Sequence, residues 1–518
     1  MTEKLLFLSI LATGISWILI IPIWQYPDEQ AHFSQVQNTA EGNFVNSALN
    51  SSKEIELTEK ILGTERNAIG NNKYTYNPNY IPSYNSNFYG IFENFLKSLE
   101  ISSRKTLVRT DGTTNPPLYY ILGSLFYKTA YYGSILDRVF MVRIYSLIIF
   151  LSLIIVAKKI AKVLFRENKL QQLTMVSMIA FMPMLMFAST GVLPDALTNF
   201  LFSQIILLCL LLIKNGLKLK YILYLVFLTI LGKFTRQQFL IAVPITIAAI
   251  VTSIAANNSK IRAKTLFILS GVIFLVFIMN RFTDFGILNL PEIGKPNLFL
   301  IFSKSYFEYW LNTLNTIYHE TFPWYWGVFK WLSLALPFLL YRAIKFIIII
   351  SIAGYIYWII KIRNKNKNKQ GTYLFFLALA SLIYTLVLYT WDYYHKQVHG
   401  FSFGIQGRYF FPVITAHLAL LFFGITVIVN NFLKKYSDLL LKIIIVLMVA
   451  FNDYTLFFVA SHYYHLNSVN IFIQEASQYK PEILKGLNSI IILAGMFIIQ
   501  LIFILKIFKN HRNLSIIK

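Results

Sequence analysis

The chain has 518 residues, of which 56% are hydrophobic and only 14% are charged, whereas soluble domains carry about 25% charged residues. The net charge of +24 does not indicate nucleic-acid binding, because the lysines and arginines fall in short segments between apolar runs and form no nucleic-acid-binding motif. The single cysteine, Cys209, excludes an internal disulfide and a cysteine-rich metal site. The predicted fold class is an all-α polytopic integral membrane protein.

The first apolar run covers roughly residues 5–23 and follows a short segment that contains Lys4. No small-residue cleavage site follows this run, so it predicts an uncleaved first membrane helix. Because basic residues stay in the cytoplasm, the helix is expected to run outward.

Residues 24–138 form a long polar segment, predicted to be the first extracytoplasmic loop. Within it, residues 117–133 are tyrosine-rich and amphipathic, which favours a helix in the outer interface over a crossing. A crossing there would place the basic sequence KKIAK of residues 158–162 outside, against the positive-inside rule.

The remaining apolar runs continue this alternation to the end of the chain. Crossings are predicted near residues 139–157, 172–190, 196–213, 221–235, 239–256, 265–281, 343–360, 371–391, 411–430, 439–459 and 488–508. The expected total is about twelve spans, with a range of about 11 to 13, in one membrane domain over residues 1–518 with both termini in the cytoplasm. Residues 282–342 form the second large extracytoplasmic loop.

The sequence WQYPDEQAHF of residues 24–33 follows the first crossing directly. Pro27 suits the first position of a helix, with Asp28 and Glu29 in its first turn and His32 on the same face. The pattern allows two interpretations. In the first, the two acids only stabilise the helix by complementing its dipole. In the second, an ionised carboxylate at the outer membrane surface serves as a proton acceptor.

A second acid, Asp195, follows Pro194 at the start of a later crossing, also on the outer side. The same two readings apply, with the addition that Asp195 and Asp28 could face each other across one cavity.

Several basic side chains are expected near the outer membrane surface, at the same depth as Asp28 and Asp195. Arg408 lies just before a late crossing, where it either binds phosphate through two hydrogen bonds or extends along the interface. His395 and His399 are four residues apart, but no third ligand is nearby, so no metal site is predicted. The candidate substrate- and donor-binding residues are His32, Asp195, Lys233, Arg236, Lys396, His399 and Arg408.

Four short sequences, PDEQAHF, NPPLYY, PDAL and GRYFFP, together resemble the GT-C superfamily of polytopic glycosyltransferases, which use polyprenyl-phosphate sugars. Protein O-mannosyltransferases and the aminoarabinose transferase of lipid A belong to this superfamily. The pattern is most similar to a bacterial and archaeal branch with a PDExxHF motif after the first helix.

The resemblance implies an inverting transfer of a hexose or pentose at the extracytoplasmic face of the cell membrane. Asp28 matches the acid that accepts the proton of the acceptor hydroxyl, with Glu29 as the other candidate catalytic residue of the acidic pair. Asp195 matches the second acid. The implied partners are a polyprenyl-phosphate-linked sugar, an envelope glycan, lipid or protein acceptor, and the bilayer. A tightly held metal and a peptide-sequon acceptor are not expected, and an assisting divalent cation is left open.

Two other functions are alternatives to a transferase. A transporter or flippase of lipid-linked saccharides would carry its ionisable residues near the bilayer midplane. A polysaccharide polymerase or ligase would share the topology and donors, but we do not expect it to have an acid pair directly after the first helix.

Overall fold

The computed structural model describes residues 2–43, 50–67, 70–80, 88–108, 113, 115–166, 168–257, 303–362 and 369–509. The helices in the first half are α1 Thr2–Ile20, α2 Glu29–Ala40, α3 Lys53–Leu62, α4 Tyr89–Ser98, α5 Ile101–Lys105, α6 Leu118–Thr129, α7 Ile135–Phe165, α8 Lys169–Ala180, α9 Pro183–Thr190, α10 Asp195–Asn215, α11 Leu219–Lys233 and α12 Ala242–Asn257. Those in the second half are α13 Lys304–Thr316, α14 Phe322–Gly327, α15 Phe338–Ile362, α16 Lys369–His399, α17 Ile414–Phe432, α18 Ser437–Ala460, α19 Val469–Ala476 and α20 Leu487–Lys509.

Short elements complete the described chain. One antiparallel pair joins β1 Ser51–Ser52 to β2 Leu107–Val108, and a second joins β3 Val328–Phe329 to β4 Leu334–Ala335. Tight 3-10 turns lie at Gln237–Ile241, Gly407–Val413, Lys434–Tyr436 and Glu482–Leu484. A wider π-helical turn, Ile317–Thr321, connects α13 to α14.

Within the described residues, nine helices are long and apolar enough to cross a membrane, or ten if α8 and α9, bent by 58°, form one span. These ten correspond to ten of the predicted crossings. The crossing predicted near residues 221–235 is α11, a helix of only 15 residues, and the one near 265–281 lies outside the described residues. The protein is therefore a multi-pass helical membrane protein, while the count of twelve stays a prediction.

The segment between α1 and α7, predicted as the first outer loop, folds onto the membrane helices rather than extending away from them. Glu54 of α3 and Arg138 of α7 form a buried ion pair, and Arg138 Nη1 also donates to the Tyr127 hydroxyl at 2.7 Å. The predicted interfacial helix is α6, which buries Tyr119 and Tyr120 against its neighbours. Buried pairing therefore fixes this loop to the membrane helices.

Helices α15 and α17 pack very closely along two glycines. A side chain at Gly354 would collide with the Gly424 carbonyl, and one at Gly424 would collide with the Ser351 carbonyl and hydroxyl. Small residues allow this approach, and in a membrane close van der Waals packing is a main source of helix association.

Gly424→Ala is expected to lower the free energy of unfolding by about 1–3 kcal/mol, because the added methyl group forces the helices apart. Gly495→Ala in α20 is the matched control, since an added Cβ there meets open space. Alanine is better than glycine in a helix interior by roughly 0.5–1 kcal/mol, so the control should be neutral or stabilising. Thermal unfolding in detergent measures both, and equal stabilisation by the two substitutions would contradict the close packing.

Candidate functional site

The connection from α1 to α2 is held by Arg143, an arginine of α7 that is buried. Its guanidinium donates to the carbonyls of Ile21 at 2.8 Å and Pro22 at 2.9 Å, where α1 has ended and its carbonyls lack helical partners. The connection also contains two left-handed residues that are not glycine, Trp24 with φ 61° and Asp28 with φ 55°. Backbone of this kind is uncommon and tends to occur at functional sites.

Glu29 is fully buried and both of its carboxylate oxygens are occupied. Arg143 donates to it through Nε at 2.8 Å and Nη2 at 2.7 Å. The amides of Trp24 and Val192 also donate to it, at 3.0 Å and 3.3 Å. Glu29 thus ties together the connections that precede α2 and α10. The structure does not bring its carboxylate together with that of Asp28.

Asp28 has different partners from Glu29 and lies between two arginines. Its Oδ1 is 2.9 Å from Arg66 Nη1 and its Oδ2 is 3.3 Å from Arg408 Nη2. Helix α2 begins at Glu29 rather than at the predicted Pro27, and the Asp28 side chain makes no capping hydrogen bond. With 40% of its side chain exposed, Asp28 is open to an incoming molecule.

The charges around Asp28 decide its ionisation. Burial raises the pKa of the carboxyl, but Arg408 and then Arg66 outweigh burial and lower the pKa below its ordinary value. Asp28 is therefore a carboxylate at neutral pH.

Asp195, the first residue of α10, completes the arrangement. Its Oδ1 is 3.0 Å from Arg236 Nη2, and its Oδ2 is 3.8 Å from Arg408 Nη1, so Arg408 lies between the two acids. We call the set Asp28, Arg66, Asp195, Arg236 and Arg408 the acid–arginine cluster.

Three buried atoms of the acid–arginine cluster make no hydrogen bond within the part of the chain that the structure describes. They are Asp195 Oδ2, Arg236 Nε and Arg408 Nη1. Asp195 Oδ2 and Arg408 Nη1 face each other at 3.8 Å, an ion pair too long for a hydrogen bond. Buried polar atoms are usually hydrogen-bonded, so these atoms and Arg236 Nε have hydrogen-bonding capacity for a bound molecule.

Arg408 is held in place by its own short segment. Gln406 Oε1 accepts a hydrogen bond from Arg408 Nε at 2.8 Å. A side chain at Gly407 would collide with the backbone of Trp324 and Tyr325, so glycine is required where this turn crosses α14. The predicted GRYFFP motif therefore places a guanidinium among the acids.

His32, on α2, lies next to the cluster. Its Nδ1 is 2.9 Å from the Tyr120 hydroxyl, and only 4% of the residue is exposed. Burial, and then the charge of Arg236, lower the pKa of the imidazole to about 3, so His32 is neutral at physiological pH.

The other predicted cations differ in position. Lys233 is buried at the end of α11, one turn before Arg236. Lys396 and His399 lie at the exposed end of α16, where Lys396 is 6.0 Å from the Tyr309 ring and His399 is 4.4 Å from the His395 ring. The structure gives Lys396 and His399 these contacts rather than contacts with Asp28 or Asp195.

Two arginines of the site were absent from the sequence-based predictions. Arg143 stands inside an otherwise apolar run, and an ionisable residue at membrane depth is a recognised signal that could have identified it. Arg66 lies in a polar loop of ordinary composition, and nothing local distinguishes it.

A divalent cation between the two aspartates does not fit this arrangement, because the Arg408 guanidinium occupies that position. Over the described ranges, no group of three or more His, Cys, Asp and Glu side chains is placed to hold a metal ion.

The family described as "Predicted membrane protein (DUF2142)" matches residues 11–417. No curated protein matches the chain. Among solved structures, the archaeal oligosaccharyltransferase AglB from Archaeoglobus fulgidus, in complex with an inhibitory peptide and a dolichol-phosphate, is 14% identical with a TM-score of 0.44, over 89% of this chain and 56% of that one. The apo form of the Archaeoglobus fulgidus oligosaccharyltransferase is 13% identical with a TM-score of 0.43, over 92% and 56% of the two chains. The chain spans just over half the length of these enzymes, and functional conclusions therefore depend on the geometry of the cluster.

Glu29→Gln is expected to lower the free energy of unfolding by about 3–5 kcal/mol, because it leaves the buried Arg143 charge without its carboxylate. Glu308→Gln is the control, since Glu308 is exposed and forms a loose pair with Lys304 at 3.6 Å. Its substitution should change the free energy of unfolding by less than about 0.5 kcal/mol. Thermal unfolding of the purified protein measures both. An unchanged melting temperature in Glu29→Gln would exclude the structural role.

The low pKa of His32 has a defined effect on stability. The unfolded chain takes up a proton near pH 6.5 and the folded chain only near pH 3, so this contribution is complete above about pH 6.5. Below that pH it falls by about 1.4 kcal/mol per unit. Between pH 7.5 and 5.0, His32→Gln should therefore lose less thermal stability than the unsubstituted protein. His319→Gln, at an exposed histidine, should keep the full loss. Equal pH dependence in all three proteins would contradict a neutral, buried His32.

Proposed function

We propose that this chain, which belongs to the DUF2142 family of predicted membrane proteins, is a membrane glycosyltransferase that moves a sugar from a polyprenyl-phosphate donor to an envelope acceptor. The observation that carries the proposal is the acid–arginine cluster. It combines a partly exposed, ionised carboxylate with buried guanidinium groups that have unused hydrogen-bond donors.

The guanidinium groups suit the donor phosphate. Arg408 Nη1 and Arg236 Nε have no hydrogen-bond acceptor within the described chain, and phosphate oxygens would supply acceptors. Buried N–H donors without partners destabilise a fold, so a bound phosphate relieves a cost that is already present. The same cations stabilise the charge that develops on the phosphate as it leaves the sugar.

Asp28 is placed to act as the general base. In the proposed step the acceptor oxygen attacks the anomeric carbon and forms the new glycosidic bond. The bond from that carbon to the phosphate oxygen breaks, and its electron pair leaves with the polyprenyl phosphate. Asp28 accepts the acceptor hydroxyl proton, and the anomeric configuration inverts. The lowered pKa keeps Asp28 ionised and ready to accept this proton.

The position of the site in the helices supports an enzyme over a transporter. Asp28 follows α1, Asp195 begins α10, and Arg408 precedes α17, so the charges lie at helix ends rather than at the middle of a span. The opposite ends of α7 and α10 carry Lys162 and Lys214, which by the positive-inside rule mark the cytoplasmic side. We therefore assign the cluster to the extracytoplasmic face.

Asp28→Asn is expected to reduce sugar transfer by about 10²–10⁴-fold, the usual contribution of a general base, while the protein is still produced and folded. Arg408→Gln should reduce transfer by roughly 10²–10³-fold, through loss of phosphate stabilisation. Mass spectrometry of envelope glycans first identifies a glycan that is lost when the protein is removed. Each variant is then tested for restoring that glycan.

Glu308→Gln, an exposed acid outside the cluster, is the matched control and should restore the glycan fully. Full restoration by Asp28→Asn would rule out Asp28 as the base. If removal of the protein changes no envelope glycan, the transferase proposal itself is wrong.

A further inference from the structure

A second site lies at the other ends of the membrane helices. A cavity of about 560 Å³ is enclosed by the first residues of α1, the last turns of α7 and α20, and the first turns of α8 and α18. Small-molecule and lipid sites are typically about 300–1,000 Å³, so the cavity is large enough for a ligand head group.

The cavity wall carries more positive than negative charge. Three lysines, Lys158, Lys169 and Lys442, and two acids, Glu3 and Asp438, line it, so three positive charges minus two negative charges leave a net charge of +1. Glu3 and Lys158 pair with each other at 2.6 Å. A ligand with one net negative charge would neutralise the remainder.

Lys442 is the least expected of these residues. Only 5% of it is exposed, and it belongs to the membrane-spanning helix α18. It forms no salt bridge with any described residue, and its ammonium group lies 5.4 Å from the centroid of the Phe508 ring. Asp438, one turn earlier on the same helix, attracts it from beyond salt-bridge distance. Burying an ammonium group that has no direct hydrogen-bonded anion is unfavourable, and ionisable residues within membrane spans are usually functional.

Apart from Thr2 and Gln172, the rest of the cavity wall is apolar. Leu6 and Phe7 of α1, Leu173 and Val176 of α8, and Ile507 of α20 continue from the charged residues into the helix bundle. A ligand that matches both parts has an anionic group at the membrane surface and a hydrocarbon part within the bilayer.

We infer that this cavity binds one phospholipid whose head group carries a single net negative charge, with its phosphodiester at Lys442 and Lys169 and its acyl chains along the apolar wall. The lysine-rich helix ends place this site at the cytoplasmic leaflet, opposite the acid–arginine cluster. The inference does not depend on the proposed sugar transfer.

The test uses the full-length protein in a neutral detergent, titrated with phosphatidylglycerol. Native mass spectrometry should show one retained lipid, and the melting temperature should rise, because a ligand that binds only the folded state stabilises it. Lys442→Met should weaken lipid binding by about 10- to 100-fold, the usual effect of losing a charged hydrogen bond. Without lipid, Lys442→Met should be about as stable as the unsubstituted protein, because it removes the cost of burying an ammonium group together with the attraction to Asp438.

Lys435→Met is the matched control, since Lys435 is exposed at the same end of α18 and does not line the cavity. It should bind phosphatidylglycerol unchanged, and equal weakening in both variants would mean that only diffuse surface charge attracts the lipid. Lys169→Met, at the exposed edge of the cavity, provides a second variant that should fold normally and also bind more weakly. Unchanged binding by both Lys442→Met and Lys169→Met would overturn the inference. So would stabilisation by inorganic phosphate equal to that by the lipid, which would indicate a soluble phosphorylated ligand.

Discussion

The candidate site depends on the buried ion pair between Glu29 and Arg143. Arg143 holds the carbonyls that follow α1, while Glu29 accepts the amides of Trp24 and Val192. One pair of charges therefore fixes two connections that are 163 residues apart in the chain, and each carries one of the acids of the cluster. A buried ion pair adds little to the free energy of folding compared with well-packed apolar residues. Removing one partner, however, leaves a buried charge without compensation, so both partners are needed for the fold.

Two neighbouring acids consequently have different roles. Glu29 is buried and both of its oxygens accept hydrogen bonds, whereas Asp28, with a left-handed backbone and a partly exposed side chain, pairs with Arg66 and Arg408. The backbone strain at Asp28 is sustained because Glu29, the next residue, is anchored so firmly. The cluster thus has its charges in place before any ligand arrives, which is the arrangement that electrostatic catalysis requires.

The two ends of the helix bundle carry different kinds of charged side chain. At the end with the acid–arginine cluster, three arginines pair with two acids, which leaves an excess of positive charge and hydrogen-bond donors without acceptors among the described residues. At the other end, lysines accumulate and Lys442 stays buried without a salt bridge within the described residues. An anionic group would suit both ends, a sugar-linked phosphate at one and a phospholipid head group at the other in the functions that we propose.

The sequence by itself determined the membrane class and the ten spans that the described residues contain when α8 and α9 are counted as one. It also predicted that Asp28, Asp195, Arg236 and Arg408 lie near the same membrane surface. Apolar runs, basic ends and helix-start residues are local features, and they can be read along the chain. Only the tertiary structure decided that Arg143 and two backbone amides occupy the Glu29 carboxylate, that Lys396 and His399 lie at an exposed helix end, and that Arg66 and Arg143 lie beside the acids. These arginines pair with acids 38 and 114 residues away, and such partners are chosen by the packing of helices rather than by any local pattern.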